Sequence, residues 1–213
     1  DKVLEYPNNK YSEDAMLMGA EMAYMAKDYE KALHIYKQLK DKAASMERRQ
    51  LAKTGMLRSA HMLGNEEEII FTATDLLADT KLAPELSNEA HYYRAKAYLD
   101  AGKTDGAMED LKILAKDTRN VYGAEAKYKV AQIYFDGGQT DKAEQEVLNY
   151  IEVSTPHTYW LARSFVLLAD VYMKLGRNLD AKQYLLSLKQ NYQADDDIAG
   201  MIESRLEKLK TEN

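Results

Sequence analysis

The residues of this sequence with the clearest chemical potential are Gly102-Lys103-Thr104, four histidines and a run of three aspartates. Glycine, lysine and threonine in that order end a phosphate-binding loop, where backbone N–H groups and a lysine ammonium hold phosphate oxygens. That loop needs a glycine five positions before Gly102, where the chain has Ala97, and a preceding strand, where the pattern is helical. A turn followed by a helix start is the better account. His34, His61, His91 and His157 never form the His-x-x-x-His spacing that sets two imidazoles on one helix face, and no two share an expected helix. Asp195-Asp196-Asp197 lacks the alternating ligands and central glycine of a calcium loop, so capping of the last helix is expected. No serine or threonine stands in a nucleophile motif. The chain has no cysteine, which excludes thiolate catalysis, disulfides and cysteine-ligated zinc. These residues predict a non-enzyme with no cofactor and no metal.

What positions them is a repeat. Ala60-His-Met-Leu-Gly64-Asn, Tyr98-Leu-Asp-Ala-Gly102-Lys, Tyr134-Phe-Asp-Gly-Gly138-Gln and Tyr172-Met-Lys-Leu-Gly176-Arg recur with their glycines 38, 36 and 38 positions apart. A divergent copy around Lys27 lies 37 residues upstream of the first. Self-similarity at such a period marks a stacked-repeat architecture. Each unit reads as two amphipathic helices joined by a tight turn. In the fourth unit Ala124, Tyr128, Ala131 and Tyr134–Phe135 follow the helical period, Gly138 ends that helix, and Thr140 is expected to cap the next one. Gly102 with Thr104, and Gly176 with Asn178, repeat the design. By this register Ala95, Ala131 and Ala169 of the first helices face Ala107, Ala143 and Ala181 of the second, where small side chains permit close approach. Pro7, Pro84 and Pro156 all fall between units, as proline must if the helices are intact.

Composition narrows the function classes. A net charge of −6 and a pI near 5.4 argue against nucleic acid and against anionic lipid as partners. No apolar run approaches the roughly 18 residues that direct membrane insertion requires.

A small residue in the first helix, an aromatic three residues on, a turn glycine and an alanine five residues later together resemble the tetratricopeptide repeat (TPR). The resemblance runs from about Ser12 to Tyr192, strongest in units three to five. It departs from the pattern at Lys27, in place of the glycine, and at Ile69, in place of the alanine. It implies an all-α fold, a right-handed superhelical α-solenoid of about five helix pairs plus a C-terminal capping helix. The expected units are 12–45, 46–84, 85–119, 120–155 and 156–193, with the capping helix in 194–213. Residues 1–11 read as the tail of a second helix and its exit loop, which leads to the expectation of a longer repeat protein with units upstream. That loop is also similar to those of envelope TPR proteins of Gram-negative bacteria, which favours periplasm or outer membrane over cytoplasm.

The resemblance further implies a concave groove lined by the first helices and occupied by a peptide or partner segment. Carried over position by position, the groove residues are Leu17, Glu21, Tyr24 and Met25, then Thr54, Arg58, His61 and Met62. They continue with Tyr92, Lys96, Leu99 and Asp100, with Tyr128, Gln132, Phe135 and Asp136, and with Val166, Asp170, Met173 and Lys174. Tyr24, Met25, Arg58, His61, Tyr92, Lys96, Tyr128, Gln132, Phe135, Asp170 and Met173 are the binding candidates, since aromatic, Arg and Met side chains make adaptable anchors. None of the groove positions is asparagine, so the carboxylate-clamp activity of the family is not expected. The leading expectation is a non-enzymatic protein–protein interaction scaffold with a protein or peptide partner. A structural spacer, or an accessory element of an envelope enzyme or uptake complex, is the alternative. The competing reading is that many of these side chains pack between adjacent repeats.

Overall fold

The computed structural model describes residues 12–211, so the reading of residues 1–11 lies outside the described residues. Among these, eleven α-helices follow one another: α1 Ser12–Met25, α2 Tyr29–Lys42, α3 Met46–Leu63, α4 Glu66–Leu77, α5 Pro84–Asp100, α6 Thr104–Leu114, α7 Val121–Asp136, α8 Thr140–Ile151, α9 Thr158–Lys174, α10 Asn178–Asn191 and α11 Ile198–Thr211. None is long and apolar enough to cross a membrane. They group into two compact units, one ending at Asp110 and one beginning at Leu111.

The turns have one chemistry. Lys27, Gly64, Gly102, Gly138 and Gly176 all take φ between 62° and 74°, the left-handed region. After each, the next N–H reaches back to the carbonyl five residues earlier: Asp28 to Ala23, Asn65 to Ala60, Lys103 to Tyr98, Gln139 to Tyr134 and Arg177 to Tyr172. This closes the first helix of the pair and satisfies its orphan carbonyls. Gly102 and Lys103 are therefore turn residues, and Thr104 opens α6.

The helix starts differ from expectation by one residue. Thr140 is the first helical residue of α8 rather than its cap, and its hydroxyl reaches only the Gly138 carbonyl at 3.5 Å. Asn178 likewise stands inside α10, after Arg177. True side-chain caps occur at the first two turns, where Asp28 accepts from Lys31 N–H and Asn65 from Glu68 N–H. The left-handed residue is followed by the capping position itself, so the cap falls one residue after the turn residue rather than two. Pro84 is the first residue of α5, a place where its missing N–H costs nothing. The last helix begins at Ile198, directly after the aspartate run expected to cap it, and Asp196 accepts from the Ile198 N–H.

In the first unit Met16, Ala20, Ala32, Leu39, Ala52 and Met56 are buried between α1, α2 and α3, and Leu57, Ile69, Leu76 and Ala90 continue the core across α4 and α5. In the second, Ala131, Ala143, Val166, Ala169, Ala181 and Ile198 belong to one core spanning α7 to α11. The small-residue positions are fully inside, as close helix packing requires.

Candidate site on the first-helix faces

In the first unit, α1 and α3 present Leu17, Glu21, Tyr24, Met25, Leu51, Thr54, Gly55 and Arg58 around one pocket of about 300 Å³, with Tyr36 of α2 completing it. Six of the positions carried over from the repeat pattern thus come together. Met25 is 82% exposed and Leu51 52%, so the rim is apolar and open to water. The floor exists because α3 carries no side chain at Gly55: a Cβ there would clash with the hydroxyl end of the Tyr36 ring. The hydroxyl end of the Tyr36 ring therefore rests on the α3 backbone. Burial raises the pKa of the Tyr36 hydroxyl, the Glu21 carboxylate adds to that rise, and Arg58 opposes it.

Arg58 is held by a two-toothed pair to Glu89 of α5, Nε and Nη2 each donating at 2.7 Å. Its hydrogen bonds to Glu89 raise its pKa, against the burial that would lower it. His61 lies outside the pocket and stacks on Tyr93, centroids 4.2 Å apart. Burial and then the Lys96 ammonium hold its imidazole below the ordinary histidine range. Tyr92 is half-buried beside Tyr93, and Lys96 is exposed.

The second unit uses the corresponding positions differently. Tyr128 is 5% exposed, covered by the Arg163 guanidinium at 5.2 Å from its centroid and by Trp160 at 5.7 Å. Its hydroxyl donates to Gln132, whose amide donates to Asp136. Asp170 accepts two bonds from Arg205 of α11, at 2.7 and 2.6 Å. Phe135 lies under the Lys174 ammonium at 4.9 Å, and Met173 packs half-buried on the core.

The remaining histidines serve the scaffold. His91 Nδ1 lies 2.7 Å from Asp110, which also accepts from Arg94 Nε and Nη2. His157 shares a hydrogen bond with the Arg119 carbonyl, and His34 with Gln38. Sequence reasoning passed over Tyr36, Leu51, Gly55, Glu89 and Arg163. One signal was available: Tyr36 occupies the position held by Ala73, Leu111, Val147 and Leu185 in the other second helices, an oversized ring that needs a gap opposite.

TPR family models match residues 14–45 and 89–117, and a second TPR model matches residues 162–190. No curated protein matches the sequence. Two crystal structures of MamA align with TM-scores of 0.65 and 0.62 at 16% and 18% identity, over 85% and 91% of this chain and 92% and 97% of theirs. TTC0263, a thermophilic TPR protein of Thermus thermophilus, aligns over 91% of this chain and 98% of its own with a TM-score of 0.50 and 19% identity. At such identities the likeness is one of fold. The matched segments coincide with α1–α2, α5–α6 and α9–α10, and these three helix pairs are tetratricopeptide repeats; the five turns of the chain share one hydrogen-bond pattern.

Proposed function

We propose that this chain is a non-enzymatic protein-interaction scaffold and that the pocket between α1 and α3 takes up a side chain of a partner peptide. The pocket itself carries the reading. It is concave, apolar at floor and rim, and ringed by a few polar groups, the composition of a site that anchors one side chain. Its volume of about 300 Å³ lies at the lower end for ligand sites, which suits a single anchor. In the second unit, Tyr128, Gln132 and Asp170 are engaged in internal pairs, and this favours a purely structural part for those positions. The test is selection from a displayed random-peptide library on the intact chain, followed by challenge with Met25→Asp/Leu51→Asp. Both side chains are exposed, so helicity should be retained while captured peptides are released. Peptides held equally well by the double variant would refute the pocket as the site.

A further inference from the structure

The charges around the α1–α3 pocket are unequal. Arg58 spends Nε and Nη2 on Glu89, so those two groups cancel. Glu21, which also lines the pocket, has no ion-pair partner among the described residues. Glu21, Arg58 and Glu89 therefore sum to one negative charge beside an apolar cavity. Two tyrosines flank that charge. Tyr24 and Tyr36 both line the pocket, and the electron-rich faces of such rings attract cations. Leu17, Leu51 and Met25 supply apolar surface along which a chain of methylenes can lie.

We infer that the side chain accepted by this pocket is a long cation, arginine or lysine, its aliphatic stem laid along Leu17, Leu51 and Met25 and its charged head set at Glu21 between Tyr24 and Tyr36. This rests on the reading of the pocket as a peptide site and adds the chemical class of the anchor. An acidic anchor would meet the Glu21 carboxylate, with the Arg58 fork already occupied by Glu89. A plain aliphatic anchor would fill the floor and leave the Glu21 carboxylate without a partner.

The experiment follows the methionine methyl resonances of the intact chain, with Met25 identified by its loss in Met25→Leu. The probes are N-acetyl-arginine amide, N-acetyl-lysine amide, N-acetyl-leucine amide and N-acetyl-glutamate amide. The two cations are expected to shift the Met25 methyl at lower concentration than leucine amide, with glutamate amide weakest. Glu21→Lys should raise the midpoint for arginine amide by at least about fivefold, since an attraction becomes a repulsion, and leave leucine amide unmoved. Glu21→Gln should fall between. A leucine amide midpoint equal to or below that of arginine amide, or an arginine midpoint indifferent to Glu21→Lys, overturns the cationic anchor and leaves the pocket as a peptide site. No Met25 shift with any probe overturns both.

Discussion

Lys27 does with a side chain what glycine does at four equivalent turns. Its φ of 62° places Cβ against the following carbonyl, a strain of roughly 1–2 kcal/mol for an L-residue. Glycine would remove that strain but loses more conformational entropy on folding, so the two effects partly offset. Lys27→Gly is expected to stabilise the chain by about 0.5–1 kcal/mol, read as a higher urea midpoint at unchanged slope. A lower midpoint would mean that the lysine stem contributes packing at that turn. The period alone marks Lys27 as anomalous, because the turns are local and each copy can be laid on the next. Tyr36 and Gly55 are a different case. Their fit joins two helices 19 residues apart, and only the packed pair shows that the ring fills the space a side chain would take.

Among elements, the helix starts separate two kinds of turn. Asp28 and Asn65 accept hydrogen bonds from N–H groups three residues on, whereas no side chain caps α8 or α10. Asp28→Ala and Asn65→Ala should each cost about 1 kcal/mol in chemical denaturation, and Thr140→Ala only a few tenths. Equal losses at all three would contradict the observed caps. The α5–α6 pair is held by a second device. Asp110 is 1% exposed and takes bonds from Arg94 and His91, with Arg94 also donating to Thr74 of α4. Burial pushes the Asp110 pKa up, but the hydrogen bonds and charges of Arg94 and His91 outweigh it and hold the carboxyl below the ordinary carboxylate range. A depressed folded pKa stabilises the fold above the unfolded value, about 3.9, and that contribution is lost as pH falls through the folded value. Asp110→Asn should therefore lower stability at neutral pH, by about 2–3 kcal/mol, and flatten the loss of stability below about pH 4. An acid limb of unchanged steepness in the variant would assign that limb to other carboxylates. Of this triad, the sequence presents only a histidine on one helix and an aspartate on the next; which acid each base meets is decided by helix rotation, not by spacing.

Over the molecule, a side-chain bond recurs between neighbouring first helices and between α9 and α11: an ion pair of Asp14 with Arg48, another of Arg58 with Glu89, a hydrogen bond donated by Arg163 to the Tyr128 hydroxyl, and an ion pair of Asp170 with Arg205. The partners stand 34, 31, 35 and 35 residues apart, close to one repeat, and among the three ion pairs the acid comes first in two and the base in the other. The repeat could be aligned from its glycines and alanines because those residues answer to a fixed backbone. The pairs could not be read, because any of several side chains at each position reaches its neighbour. They explain why predicted groove residues such as Asp170 and Tyr128 are bound internally. They also predict how stability is distributed. In a stacked array each repeat senses chiefly its neighbours, so losing one pair should loosen the adjoining helices only. Arg205 ties α11 to α9 through Asp170 and is about one-fifth exposed, so the pair is partly sheltered from solvent. Arg205→Ala is expected to raise amide exchange in α11 by about tenfold, corresponding to roughly 1.4 kcal/mol, with a smaller rise in α10. Exchange in α7 and α8, which share the unit but do not touch the lost pair, should stay at its original rate. A uniform rise across α7 to α11 would mean that the core shared by these helices opens as one cooperative body.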